Sequence, residues 1–185
     1  MSLEDKKRWN EKYQTTQLPQ NELAVVEQYA KEAKGKSALD IACGMGRNAK
    51  LLAKMGFEVD ALDISDVAIA TLEGLEHINA QVVDLEAHDF KENAYDLIVC
   101  TYYLERTLFP KIERALKKEG MVIVETFLHD EANTKEPSNR AFLLEKNELE
   151  TLLGSAYEIL YHHEFMAEVA CAKQCKKISM VARKK

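Results

Sequence analysis

Between residues 38 and 124, short apolar runs alternate with amphipathic stretches whose apolar positions recur at helical spacing. Strands alternating with helices need crossover connections, so the pattern predicts an α/β domain on a largely parallel sheet. The first run is Ala38-Leu39-Asp40-Ile41-Ala42, followed by a helical face of Ala49, Leu52 and Ala53 with Gly56 as its stop. The second run, 57–62, ends at Asp63, and Ser65 is placed to cap a helix carrying Val67, Ala68, Thr71, Leu72 and Leu75. The third, 80–83, ends at Asp84. The fourth, 95–100, ends at Thr101. A helix is predicted next, with Leu108, Ile112, Ala115 and Leu116 inward, Lys117 and Lys118 near its C-terminal end and Gly120 as its stop. Residues 121–124 form the fifth strand.

Beyond Glu125 the texture changes. Residues 126–140, with Asn133, Pro137, Ser138 and Asn139, read as a loop crossing the mouth of the sheet, long enough to suspect function. A short helix over 146–153 precedes two strands, 157–165 and 177–182, joined by irregular residues as a hairpin rather than a crossover.

A chain of 185 residues fits one domain, and 46% apolar with 30% charged residues is the balance of a soluble globular protein. No apolar run approaches the roughly 20 residues of a membrane helix. The N-terminus turns charged at once, Glu4-Asp5-Lys6-Lys7-Arg8, without the apolar stretch of a secretory signal, so the expected address is the cytoplasm. A net charge of −6 argues against nucleic acid as partner and favours a small molecule. Lys173, Lys176, Lys177, Arg183, Lys184 and Lys185 read as a solvated strand end and tail. Cys43 and Cys100 close apolar runs as buried thiols. Cys171 and Cys175, near His162 and His163, match zinc spacings poorly, and no metal is expected.

The unusual residues fall where an open parallel sheet binds its ligands, outside the carboxyl ends of the strands. In Asp40-Ile41-Ala42-Cys43-Gly44-Met45-Gly46-Arg47-Asn48, the two glycines allow positive φ and close backbone approach, and a helix N-terminus follows. Gly44-x-Gly46-x-x-Ala49 also satisfies a relaxed dinucleotide fingerprint, with Asp63 about twenty residues on. Three features oppose the nicotinamide reading. Asp40 sits inside the strand end just before the glycines, where adenosylmethionine enzymes keep an acid. Asp84 closes the third strand, where a carboxylate can accept from an adenine amino group. The chain is also too short for a separate substrate domain and ends in a hairpin.

Leu39-Asp40-Ile41-Ala42-Cys43-Gly44-Met45-Gly46-Arg47-Asn48, Gly56-Phe57-Glu58-Val59-Asp60-Ala61-Leu62-Asp63-Ile64-Ser65 and Val82-Val83-Asp84-Leu85-Glu86 together resemble class I S-adenosylmethionine-dependent methyltransferases, most closely the small bacterial tellurite-resistance-type branch. Ala42 stands where that family has its first loop glycine. The resemblance spans roughly Trp9 to Arg183. It implies a doubly wound, mostly parallel seven-stranded sheet whose last strand is antiparallel and inserted, with S-adenosylmethionine across the carboxyl edge. It further implies that Asp63 holds the ribose hydroxyls, Asp84 and the Leu85 N–H read adenine, the methionine end lies by Asp40, Ala42 and Gly44, and Gly46, Asn48 and Ile64 also line the cofactor. Thr101 or Tyr102 would lie beneath the sulfonium. Trp9 and Tyr13, in an N-terminal helical segment over residues 1–34, would close over the cofactor.

Methyl transfer from positive sulfur needs alignment and water exclusion more than catalytic side chains. An ionised acceptor needs no base, whereas an alcohol or amine does. Tyr102, Tyr103, Glu105, Arg106, Glu125, His129 and Arg140 are the acceptor-side candidates. Among them Tyr102, Arg106 and His129 are expected to be catalytic, His129 as a base and Arg106, with Arg140, as clamps on an anion. Cys100-Thr101-Tyr102-Tyr103 lacks the Asn-Pro-Pro-Tyr character of amino-directed nucleic-acid methyltransferases. The expected reaction is methylation of a thiol, chalcogen oxyanion or other small metabolite. A nicotinamide-dependent oxidoreductase and a noncatalytic adenosylmethionine-binding module are the alternatives.

Overall fold

A computed structural model describes residues 3–16, 21, 23–135, 137, 139–169 and 173–185. Seven strands, β1 (Ser37–Ile41), β2 (Glu58–Asp63), β3 (Ile78–Val82), β4 (Tyr95–Thr101), β5 (Leu116–Phe127), β6 (Tyr157–Val169) and β7 (Lys173–Lys184), form one sheet in the order β3-β2-β1-β4-β5-β7-β6. Pairs from β3 to β5 are parallel, and β7 is inserted antiparallel between β5 and β6. The doubly wound α/β sheet with an antiparallel last strand is therefore the one expected. The order reverses at β1, which pairs with both β2 and β4 and so opens a crevice at its carboxyl end.

Continuous apolar strands follow from burial on both faces. In β4, Leu97 and Val99 pack on one side and Ile98 and Cys100 on the other; in β5, Met121 and Ile123 oppose Val122 and Val124 in the same way. One side is covered by α2 (Ala24–Tyr29), α3 (Arg47–Lys54) and α4 (Asp66–Ala70), which contribute Val26, Leu52 and Ile69. The other is covered by α5 (Leu108–Ala115) and α6 (Glu148–Leu153), which contribute Leu108, Ile112, Leu149 and Leu153. An N-terminal helix, α1 (Leu3–Thr15), buries no residue of its own and rests on α4. Among the described residues no helix is long and apolar enough to cross a membrane.

Three boundaries differ from expectation. Helix α5 ends at Ala115, and Leu116 with Lys117 and Lys118 is already extended as β5. Gly120 is thus no helix stop. It lies where the β4–β5 register shifts, and a Cβ there would stand 2.9 Å from the Lys117 carbonyl oxygen. Helix α4 is capped as expected, the Ala68 N–H donating to Ser65 Oγ at 3.1 Å, but ends at Ala70, leaving Leu75 40% exposed. The last two strands run longer than the hydrophobic pattern, because cross-strand pairing extends past the apolar residues to Val169 and Lys173. Cys171 lies outside the described residues; Cys175 is buried.

Candidate active site

The β1–α3 turn needs left-handed backbone at three positions: Ala42 at φ 53°, Gly44 at 55° and Gly46 at 75°. Two are glycines. At Ala42 the side chain bears the strain, the kind of local cost that persists where a site demands it. At Gly46 a Cβ would meet Leu72 Cδ2 at 2.4 Å, so the glycine also lets α3 pack onto the Leu72 turn. At Gly44 a Cβ would fall 2.6 Å from the Tyr13 hydroxyl, so a cradle with no side chain of its own faces α1.

Two acids border this cradle. Asp40 is 1% exposed, and neither carboxylate oxygen has a partner in hydrogen-bonding geometry. Burial pushes its carboxyl up to about 7, although the nearby Ala49 N–H and the Arg47 charge pull the other way. A buried acid without a donor is expensive for a folded protein unless a ligand supplies one. Asp63, in contrast, is braced: Oδ2 accepts from the Gly44 N–H at 2.8 Å and Oδ1 from the Ser65 N–H at 2.9 Å. Burial still raises its pKa. Each carboxylate oxygen keeps lone-pair capacity for a further donor.

The third strand ends differently. Asp84 lies two residues beyond β3, accepts from the Glu86 N–H at 3.1 Å and is followed by Leu85, whose side chain is in the core. Ile64 is buried behind Asp63. From α3, Asn48 donates to Thr101 Oγ1 at 3.0 Å, tying the glycine turn to the end of β4, while its own Oδ1 is buried without a partner.

Helix α1 covers these residues. Asn10 donates to Asp66 Oδ1 at 2.6 Å and accepts from Ser65 Oγ at 2.6 Å, and Lys6 lies 3.2 Å from Asp66 Oδ2. That anchorage sets the Tyr13 ring on Gly44. Burial, and then the Asp63 charge, raise the Tyr13 phenol's pKa. Trp9 packs on Tyr13 at 5.7 Å between ring centroids, with Lys12 over the indole at 4.4 Å.

Beyond β4 lies a second cluster. Tyr102 adopts φ 57°, and its backbone N–H donates to the Glu125 carbonyl at 2.7 Å. Its hydroxyl donates to Glu125 Oε1 at 2.5 Å and accepts from Lys177 Nζ at 3.0 Å. The Ser179 hydroxyl donates to the other Glu125 oxygen. Arg47 stands 5.1 Å from the Tyr102 ring centroid, and Phe127 packs against the ring at 5.4 Å. Arg47, Lys177 and Ser179 were not among the expected acceptor-side residues. The sequence places Lys177 in a basic strand end and tail, yet an antiparallel β7 brings its beginning to the carboxyl edge; the hairpin signal could have located it.

Two expected clamps have other work. Arg106 donates to Glu148 through Nε at 2.5 Å and Nη2 at 3.1 Å, and to the Ala141 and Leu143 carbonyls at 2.8 and 3.0 Å. It fastens α6 and the segment before it to the end of β4. Arg140 is paired with Glu145. Tyr103 is half-buried against the α5 core, and Glu105 caps Thr107. His129 follows β5, its backbone N–H donating to the Leu144 carbonyl at 2.8 Å.

The family described as tellurite resistance protein TehB matches residues 1–180. A probable S-adenosyl-L-methionine-dependent methyltransferase TehB of Haemophilus influenzae is 30% identical over 166 residues, covering 80% of this chain and 57% of that protein. The chain thus spans little more than half the length of that curated relative. The crystal structure of TehB from Haemophilus influenzae superposes with a TM-score of 0.77 at 26% identity, covering 97% of this chain and 67% of that one. An S-adenosylmethionine-dependent methyltransferase of Methanosarcina mazei shares the fold at a TM-score of 0.70 and 20% identity, covering 89% and 98%.

Proposed function

This chain belongs to the family of tellurite resistance protein TehB, and from that premise we propose that it methylates a small-molecule acceptor using S-adenosylmethionine. The observation that carries the reading is Asp40: a fully buried carboxylate with no protein donor in hydrogen-bonding geometry, beside a cradle at Gly44 with no side chain of its own. An amino acid's ammonium group is the complement such a carboxylate lacks. Asp40, Ala42 and Gly44 would hold the methionine end, with Gly46 and Asn48 shaping the turn. Asp63, already fixed by two backbone N–H groups, would accept from the ribose hydroxyls, backed by Ile64. Asp84 and the Leu85 N–H would meet adenine. Thr101 and Tyr102 would flank the sulfur.

S-adenosylmethionine, when bound there, would supply a methyl carbon activated by positive sulfur to the acceptor's lone pair. The chain's part is alignment and dryness. Tyr13 leaves Gly44 to admit the ligand and, with Trp9, covers it afterwards. An acceptor arriving protonated would need a base, a part assigned to His129 beyond β5.

A thermal-shift comparison tests the reading. S-adenosylhomocysteine at 100 times its Kd is expected to stabilise the protein by about 2.7 kcal/mol, and NAD by nothing, because only a ligand of the folded state shifts unfolding. Stabilisation by NAD alone would overturn the reading in favour of a dinucleotide enzyme. Cofactor binding without turnover in a broad screen of thiols, selenite and tellurite and in cell extract would leave a binding module.

A further inference from the structure

We infer that Asn10 is a latch that sets how fast the cofactor cleft opens, through its hydrogen bonds to Ser65 and Asp66, just beyond Asp63. The inference rests on the methyltransferase reading and adds to it a positioning residue for cofactor entry and release. Helix α1 has no buried residue, so the hydrophobic effect holds it only weakly against the rest of the domain. Its polar anchorage gathers at the start of α4. Lys6 lies 3.2 Å from Asp66 Oδ2, Asn10 donates to Asp66 Oδ1 at 2.6 Å, and the Ser65 hydroxyl donates to Asn10 Oδ1 at 2.6 Å.

Ser65 joins this anchorage to the site. It is fully buried; its N–H donates to Asp63 Oδ1 at 2.9 Å, and its Oγ accepts from the Ala68 N–H at 3.1 Å. The one proton of its hydroxyl goes to Asn10. The position of α1 is thus taken from a residue already fixed by the acid assigned to the ribose and by the first turn of α4. One helical turn beyond Asn10, the Tyr13 hydroxyl stands where a Cβ on Gly44 would fall 2.6 Å away. While Asn10 is engaged, Tyr13 is held over the glycine turn, so the latch must release before a ligand enters or leaves.

Neither bond of Asn10 involves a group assigned to the cofactor. Both can form over an empty cleft and over a filled one. A contact common to the two closed states cancels from the equilibrium affinity but raises both barriers, so it slows entry and release together. Asn10 differs in this from Asp63, whose loss lowers affinity. A product that leaves only when the latch opens holds turnover to the opening rate.

Stopped-flow fluorescence of Trp9, the one tryptophan of the chain, reads the latch with S-adenosylhomocysteine as the probe. Asn10→Ala is expected to raise the association and dissociation rate constants about tenfold each, leaving Kd by calorimetry within threefold. Asn10→Asp sets a carboxylate against Asp66 and should speed both at least as much. Glu11→Ala, at an exposed position of the same helix, should change neither rate, which separates the latch from a general effect on α1. Hydrogen exchange of the α1 amides should quicken in Asn10→Ala with and without the ligand. Unchanged rates in Asn10→Ala, faster dissociation alone with Kd weakened to match, a Trp9 signal blind to the ligand, or unaltered exchange would each overturn the inference. Failure of wild-type protein to bind S-adenosylhomocysteine at all, with exchange still quickened in Asn10→Ala, would instead overturn the reading beneath it.

Discussion

The Gly44 N–H donates a 2.8 Å hydrogen bond to Asp63 Oδ2, joining the glycine turn after one strand to the acid closing the next. Because the Ser65 N–H holds the other oxygen, the carboxylate is oriented before any ligand arrives. Asp63→Ala is therefore expected to lower S-adenosylhomocysteine affinity at least tenfold. Asp63→Asn is the sharper probe, since its amide N–H₂ must face one of two backbone donors; we expect a loss of about 1–3 kcal/mol in stability as well. Calorimetry and urea denaturation read the two effects, and full affinity in both variants would contradict the assigned ribose site.

Asp40 is expected to oppose folding while serving binding. Its folded-state pKa, about 7, lies above the ordinary 3.8. The folded chain then holds the proton more tightly than the unfolded one, so stability falls as pH rises between those values and levels off above them. Full ionisation costs on the order of 4 kcal/mol. Asp40→Asn should match wild type near pH 4, become the more stable protein by pH 8, and bind S-adenosylhomocysteine more weakly. Thermal melts across that range decide it; a constant difference in melting temperature would remove Asp40 as the cause.

Gly46 and Gly56 separate backbone strain from crowding. Both have positive φ, 75° and 81°, but a Cβ at Gly46 would strike Leu72 at 2.4 Å and one at Gly56 meets nothing within 4 Å. Leu72 is fully buried and cannot swing away. We expect Gly56→Ala to cost about 1 kcal/mol and Gly46→Ala about 2–4 kcal/mol. Equal losses in urea denaturation would mean that the α3–Leu72 contact is not tight.

Arg106 is expected to behave as a fastener. Arg106→Ala should lower stability by about 1–2 kcal/mol, a modest figure because the pair with Glu148 is partly solvated, its side chains 37% and 21% exposed. S-adenosylhomocysteine affinity should stay unchanged, and Glu148→Gln should give a similar, smaller loss of stability. A fall in ligand affinity without a fall in stability would return Arg106 to the site.

The glycine turn and the acids beside it were legible because these parts are local. A strand followed at once by Gly44 and Gly46, and acids closing consecutive strands, need only the strand period and the crossover rule to be set along one edge. The continuous apolar runs of β4 and β5 announced a sheet buried on both faces in the same way. Propensity near Gly120 misled, since an apolar face running into lysines and a glycine describes a helix end and a bulged strand start equally well.

What the sequence alone determined is the order of strands and helices and the acids at the strand tips, for each depends on neighbours a few residues away. Only the tertiary structure decided which charges remain unpaired. Arg106 and Arg47 are the same residue type near the same edge, but one finds Glu148 across 42 residues of chain and the other finds no carboxylate among the described residues. Lys177 reaches Tyr102 across 75 residues because β7 runs antiparallel beside β5. Ion pairing depends on distances the folded chain sets, and spacing along the sequence does not carry them.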